Sequence, residues 1–146
     1  MDISVIENLT IDPNNDLFEI LDIIQKWNRK TDIDSQGAGV YGVLYYQLVR
    51  NYRNQIQTNN NTVSEETLLS AMADTKSYLI DNFGTINITL GDFQKLVRGD
   101  KELPIWGLPD VITAMSSRPY KDGKREVTQG ESYIGLVRFN EKGPIL

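Results

Sequence analysis

The sequence predicts an α+β chain that is mainly helical in its first half and forms strands in its second half. Apolar residues recur at helical spacing in three stretches between residues 16 and 83. Beyond residue 84 the apolar runs shorten, and prolines and glycines interrupt the segment 101–110. The clearest strand pattern, rich in aromatic and β-branched residues, lies at 132–139.

The first helix is predicted over about 16–30. Asp16, followed three residues later by Glu19, matches the pattern of a capping box. The apolar residues that recur at helical spacing are Leu17, Ile20, Leu21, Ile24 and Trp27. We expect this stripe to enter the core, so that Trp27→Ala should cost about 3–5 kcal/mol if the ring is buried.

The second helix is predicted over about 35–55. Its apolar stripe consists of Ala38, Tyr41, Tyr45, Leu48 and Tyr52. Gly37, Gly39 and Gly42 lie in its first turns, although each glycine costs about 1 kcal/mol relative to alanine. Two explanations stand: another element approaches the helix closely here, or the helix start is hydrated and frayed. The first predicts that Gly42→Leu overpacks the contact, at a cost of about 1–3 kcal/mol.

The third helix is predicted over about 64–83. Ser64 can cap its start, Glu65 and Glu66 suit the positive end of the helix dipole, and Gly84 can end it. Together the three stripes predict one helical core, formed by Leu17, Leu21, Ile24, Trp27, Tyr45, Leu48, Met72, Leu79 and Phe83.

Shorter elements are predicted after the third helix. Ile86, Ile88 and Leu90 alternate, which indicates a short extended segment. The remaining predictions are helical turns at 92–98 and 111–115, an irregular segment at 101–110, an exposed loop or hairpin tip at 117–126, a strand at 132–139, and a turn into a second strand at 141–146.

The composition excludes several function classes. With 15 Lys and Arg against 20 Asp and Glu, the net charge is −5, which disfavours a nucleic-acid-binding surface. The absence of Cys and His removes thiolate chemistry, Ser-His-Asp triads and the usual zinc sites. No targeting signal and no apolar run of about 18 residues is present. We therefore expect no nucleic acid, membrane or cofactor as a partner.

The remaining candidates for chemistry have structural explanations. The carboxylate pairs Asp32/Asp34 and Glu65/Glu66 precede or begin helices, where acidic side chains are favourable. No serine lies in a GxSxG or SxxK motif. Four tyrosines could form a core stripe or a stacking platform, and they are Tyr41, Tyr45, Tyr46 and Tyr52. The sequence assigns no catalytic, cofactor-binding or metal-binding residue.

Three segments resemble the late β-chain of the penicillin acylase (penicillin amidase) family, most closely its branch of aculeacin and acyl-homoserine-lactone acylases. They are IIQKWNRKTDIDSQGAGVYGVLYY at 23–46, GDFQKLVRGDKELPIWGLPDVITA at 91–114 and GESYIGLVRF at 130–139. The second and third segments share Gly91-Asp92, Arg98-Gly99, Leu103-Pro104, Gly107, Pro109-Asp110, Gly130 and Ser132-Tyr133 with the family. Asn28 departs from the family pattern, which has an acid after the tryptophan.

This resemblance implies an N-terminal-nucleophile hydrolase with a four-layer αββα sandwich. In that family a precursor cleaves itself, and the first residue of the β-chain, usually serine, attacks an amide while its own α-amino group acts as the base. An asparagine completes the oxyanion hole. Both groups lie upstream of the part that resembles this chain, and Met1 is no such nucleophile. No family catalytic residue therefore carries over.

We accordingly expect residues 1–146 to be one segment of a larger β-chain, with a helical lobe at 1–84 and a sheet-joining region at 85–146. The parent would hydrolyse penicillin, an acyl-homoserine lactone or a related N-acyl compound in the periplasm or outside the cell. The isolated chain would be inactive. Its partners would be the α-chain and the rest of the β-chain.

An unpaired strand edge at 132–146 predicts self-association. The alternative is a standalone helical interaction module that binds through helix 35–55. A third hypothesis, an enzyme that relies on carboxylates, ranks below both.

Overall fold

The computed structural model describes residues 4–109, 111, 113–130, 138–140 and 143–145, the last two ranges as backbone only. Helices precede strands, which confirms the predicted α+β class. The helices are α1 (Val5–Asn8), α2 (Phe18–Gln25), α3 (Gln36–Asn51), α4 (Arg53–Thr58), α5 (Glu65–Phe83) and α6 (Leu90–Phe93). The strands are β1 (Gln94–Arg98), β2 (Lys101–Pro104), β3 (Met115–Pro119), β4 (Arg125–Gly130), β5 (Arg138–Asn140) and β6 (Gly143–Ile145). None of the helices in these ranges combines the length and apolar character needed to cross a bilayer.

Helix α5 agrees with the prediction from its local signals. The side chain of Ser64 accepts a hydrogen bond from the amide of Thr67 at 3.2 Å, which caps the first turn. Gly84 adopts a left-handed conformation with φ of 71° and ends the helix. Both signals act within a few residues, so they are readable without knowledge of the fold.

Helix α2 is shorter than predicted, and the capping box of Asp16 and Glu19 does not form. Two local side-chain bonds hold a turn instead, because Asp12 accepts from the amide of Asn14 at 2.8 Å and Asn15 accepts from the amide of Leu17 at 2.9 Å. The helix then begins at Phe18 and ends at Gln25. Competition from Asx turns thus delays the helix start.

Helix α3 begins as predicted, since Ser35 accepts from the amide of Ala38 at 3.2 Å. It ends at Asn51, where Tyr52 leaves helical geometry and the short helix α4 follows, so the predicted range 35–55 is interrupted. Tyr41 and Tyr45 of the predicted stripe are only partly buried. The fully packed positions of α3 are Gly37, Ala38, Gly39, Val40, Gly42, Val43, Leu44, Gln47 and Leu48.

The short strand or extended segment predicted at 86–90 is wrong at Leu90, which begins α6, whereas Thr89 is extended. The helical turns predicted at 92–98 are confirmed only at Asp92 and Phe93 and are wrong over 94–98. A capping box forms between Thr89 and Asp92, in which Asp92 accepts from the amide of Thr89 at 2.9 Å and Thr89 accepts from the amide of Asp92 at 3.2 Å. This box starts α6 at Leu90, two residues earlier than predicted, and β1 follows immediately. Pairing with β2 then overrides the helical pattern of 94–98.

The four-stranded sheet has the order β2-β1-β4-β3. β1 and β4 run parallel, whereas the other two pairings are antiparallel. β3 and β4 form a hairpin with its tip at 120–124, which agrees with the predicted hairpin tip at 117–126. The predicted helical turn at 111–115 is wrong at Met115, which begins β3. Of the predicted strand 132–139, only Arg138 and Phe139 lie within the described residues, where they pair with β6.

The helical core is confirmed in part. Five of the nine predicted members are buried, namely Leu21, Ile24, Leu48, Met72 and Leu79. The other four lie at its margin and are partly buried, and they are Leu17, Trp27, Tyr45 and Phe83. The largest correction concerns the indole of Trp27, which packs against Tyr41 at a centroid distance of 5.0 Å but remains partly accessible. Truncating it should therefore cost less than for a fully buried ring.

Glu102 of β2 ties the tip of the hairpin to the opposite edge of the sheet. Its carboxylate forms an ion pair with Lys121 and a second with Lys124 at 3.1 Å. The phenol of Tyr120 donates to the same carboxylate at 3.4 Å. The hydrogen bond from Lys121, followed by that from Lys124, lowers the pKa of Glu102 from 4.5 to about 2. The hairpin tip is thus attached by a carboxylate that stays charged in mild acid.

Glu102→Gln should lower the thermal stability at neutral pH, and this loss should disappear in acid. A carboxyl with a lowered folded-state pKa contributes stability above its unfolded pKa, and the contribution is lost as the pH falls towards the folded value. The difference in unfolding midpoint between wild type and variant should therefore shrink as the pH falls from about 5 to about 2.

The double variant Lys121→Met with Lys124→Met serves as the matched control, because it removes both cations and leaves the carboxyl in place. It should abolish the same pH dependence. A midpoint difference for Glu102→Gln that stays constant from about pH 7 to about pH 3 would contradict this tether.

Candidate functional site

The glycines of α3 form a face on which other segments of the chain lie in direct contact. A Cβ atom on Gly39 would stand 2.6 Å from the carbonyl carbon of Thr89 and 2.8 Å from the carbonyl oxygen of Ile88. On Gly42 it would stand 3.1 Å from Leu108 Cδ2. On Gly37 it would collide with the side chain of Trp27. The explanation by close approach is therefore confirmed, and the frayed helix start is wrong.

Backbone hydrogen bonds fasten the segment before α3 to the segments that cover this face. The amide of Gly91 donates to the carbonyl of Ile33 at 2.7 Å, and that of Leu90 donates to Ser35 at 3.0 Å. The amide of Gly107 donates to Thr31 at 3.3 Å. A Cβ on Gly91 would also stand 2.8 Å from the Ile33 oxygen. Two regions far apart in sequence thus depend on glycine for the same junction.

Gln94, the first residue of β1, also contributes to this junction. Its side chain is fully buried, and Nε2 donates to the carbonyl of Gly107 at 2.7 Å. The glycine at 107 has φ of 90°, a conformation that a side chain disfavours. Leu108, which follows, is buried against Ala38 and Leu90. The buried side-chain amide of Gln94 therefore fastens the loop after β2 to β1. Leu108 packs the same loop against α3.

The carboxylates considered as catalytic candidates are not brought together. Glu65 and Glu66 are exposed at the start of α5, whereas Asp32 and Asp34 are exposed in the loop before α3. Within the part of the chain that the structure describes, no three carboxylates converge on a point where a metal ion could bind. The turn at 121–123 is also only a turn, with Asp122 at φ of 54°.

A polar cluster that the sequence did not indicate joins α3 to the hairpin. The guanidinium of Arg125 lies 3.5 Å from the ring centroid of Tyr46, and its Nε donates to Ser117 Oγ at 2.9 Å. The hydroxyls of Tyr46 and Ser117 are 2.8 Å apart. Neither a phenol nor a guanidinium is an effective base at neutral pH, so this serine lacks the partner of a nucleophile. Tyr46 is 71 positions from Ser117 and 79 from Arg125, and no local motif marks their contact.

Comparison with known proteins identifies the scaffold. A family model described as penicillin amidase matches residues 3–146. The chain belongs to the penicillin amidase family. This membership confirms the resemblance carried by the three segments, and two of those segments form the glycine junction described above.

Individual relatives match a shorter stretch. Over 61 residues the chain is 41% identical to "Acyl-homoserine lactone acylase PvdQ" of Pseudomonas fluorescens strain Pf-5, which covers 40% of this chain and 8% of that protein. Over 57 residues it is 46% identical to the protein of the same description from Pseudomonas syringae pv. syringae strain B728a, which covers 37% of this chain and 7% of that protein. The matches thus span less than a tenth of either relative.

Gly39→Ala should destabilise the chain by about 1–3 kcal/mol, because the new methyl group meets the backbone of Thr89, which has no rotamer to relieve the clash. Helix propensity alone predicts the opposite, a gain of about 1 kcal/mol. The measurement is the free energy of unfolding from denaturant titration.

Ala73→Gly provides the matched control, because Ala73 is exposed in α5 and its change reports propensity alone. It should cost about 1 kcal/mol. If Gly39→Ala raised the free energy of unfolding by the amount that Ala73→Gly lowered it, the close approach would be disproved.

Proposed function

We propose that this chain is the scaffold part of an acylase that hydrolyses an amide bond with an N-terminal nucleophile, and that it has no activity when isolated. The observation that carries the proposal is the family match over residues 3–146. Both relatives are named as acyl-homoserine lactone acylases, which supports an N-acyl compound as the substrate class. An acyl-homoserine lactone or penicillin fits that class.

The described side chains support the second half of the proposal. The family's chemistry requires a hydroxyl or thiol paired with a terminal amine, together with an oxyanion hole. The described serine with the most polar neighbours is Ser117, which lies between Tyr46 and Arg125 and has no base. In this proposal the nucleophile, the terminal amine and the oxyanion donors belong to the rest of the protein.

We further propose how this segment contributes to the complete enzyme. Helices α2 to α5 would form an outer lobe of an αββα sandwich, and the strand predicted at 132–139 would join its central sheet. The partners would be the α-chain and the remainder of the β-chain, in a periplasmic or secreted enzyme. Self-association of the isolated chain through an unpaired strand edge stays a prediction.

The interaction-module alternative loses its main support. It relied on the glycine-containing face of helix 35–55 as a binding surface. Gly39 and Gly42 are covered by Thr89, Phe93 and Leu108 of the same chain. That face is therefore occupied and does not favour a second function.

The test compares two purified proteins on the same substrates. Residues 1–146 and the product of the complete open reading frame are assayed against a chromogenic phenylacetyl amide and a long-chain acyl amide. We expect no turnover by the chain and turnover by the longer protein once mass spectrometry shows that it has been processed.

Two results would count against the proposal. Turnover by residues 1–146 that survives repurification and is lost on replacing one of its own carboxylates would overturn the scaffold role. A correctly processed longer protein that hydrolyses no acyl amide would overturn the acylase activity.

A further inference from the structure

A groove of about 510 Å³ lies between α3, α5 and the β3–β4 hairpin. Its size falls within the range of about 300–1,000 Å³ that is usual for small-molecule pockets. The accessible apolar part of its wall comes from Tyr46, Val49, Tyr78 and Pro119, whereas Val43 and Phe93, which also border it, are each only 1% exposed. Val49 is 37% exposed, which is unusual for a valine in a helix that is otherwise well packed. The groove thus offers an apolar wall that the described residues leave open.

Two guanidinium groups, those of Arg50 and Arg125, line the same groove, and none of the described residues that line it carries a carboxylate. This contrasts with a chain that carries 20 acidic residues and a net charge of −5. The lysines in described ion pairs contact Asp or Glu at up to 3.8 Å, whereas neither of these arginines has such a partner within the described ranges. The positive charge in the groove is therefore not neutralised there.

The orientation of Arg125 is set before any ligand arrives. Stacking on the Tyr46 ring and two hydrogen bonds to Ser117 use Nε and Nη2 and leave Nη1 without a described partner. A guanidinium has five N–H donors in a planar fork, so donors remain for a planar anion. Such prior ordering lowers the entropic cost of binding.

Both guanidinium groups lie near the phenol of Tyr78. Its hydroxyl donates to the carbonyl of Gly123 at 2.7 Å, which places it at the hairpin side of the groove. Burial raises the pKa of Tyr78, and the positive charges of Arg125 and Arg50 oppose that rise. Both arginines are thus close enough to the same phenol to influence its pKa.

We propose that this groove binds a small aromatic carboxylate, with the ring against Tyr46, Tyr78 and Val49 and the carboxylate between Arg50 and Arg125. A carboxylate matches the planar donors of a guanidinium. An aromatic body suits a wall that contains two aromatic rings, which favour stacked or edge-to-face contacts. Binding of this ligand does not require the proposed acylase activity.

The test uses 2-naphthoate as the probe and 2-naphthamide as its neutral counterpart, each titrated calorimetrically into residues 1–146. The two share a ring system and differ in charge. We expect 2-naphthoate to bind at least tenfold more tightly, and its affinity to fall as the salt concentration rises.

Arg50→Gln is the informative variant, because Arg50 is exposed and its replacement leaves the core intact. It should weaken 2-naphthoate binding about tenfold and leave 2-naphthamide unchanged, whereas Arg50→Lys should retain part of the affinity. Arg53→Gln, an exposed arginine of α4 outside the groove, is the charge-matched control and should change neither affinity.

Three results would overturn the proposal. They are an absence of 2-naphthoate binding, equal affinity for the acid and the amide, and an equal loss in Arg50→Gln and Arg53→Gln. A fourth result would assign the groove to a different occupant. If residues 1–146 bind 2-naphthoate but the longer protein does not, another segment of that protein covers the groove, and the small-molecule role is wrong.

Discussion

The close approach of the α3 backbone to residues 88–91 is the constraint on which the rest of the structure depends. A single methyl group on Gly39 would stand within 2.8 Å of three backbone atoms, so the distance between helix and loop is set by the absence of a side chain. That contact places α6, and β1 follows α6 without an intervening residue. The contact at Gly39 therefore helps to set the position of the sheet relative to the helices.

The hairpin extends this arrangement and is held at two points. Glu102 fastens its tip to β2 through Lys121 and Lys124, and Arg125, the first residue after the tip, stacks on Tyr46 of α3. The groove lies at the second attachment, because Tyr46 and Arg125 both line it. Its charge and its apolar wall thus result from contacts that also stabilise the sheet, and a ligand there would bind to a surface that is already ordered.

Family membership and the proposed location of the catalytic groups outside this chain are consistent with each other. The segments that resemble the family contain the glycines of α3, Gly91 and Gly107, whose described contacts are with backbone and core side chains. Residues of this kind specify a packing geometry and carry no reactive group. A member of a hydrolase family can therefore share a scaffold over this region while its chemistry lies elsewhere in the protein.

Local signals in the sequence located the start of α3 near Ser35 and both ends of α5, at Ser64 and Gly84, but they misplaced the starts of α2 and α6. The glycine pattern of α3 left close approach and a frayed start open, and the structure decided between them. Prediction failed at Leu90 and over 94–98, where a Thr89–Asp92 capping box and strand pairing outweigh the apolar spacing. It also could not find Arg125 beside Tyr46, because residues 79 positions apart meet only when the hairpin packs on α3. Periodicity and capping report interactions within a few residues, whereas the groove and the junction depend on contacts between segments that the chain brings together last.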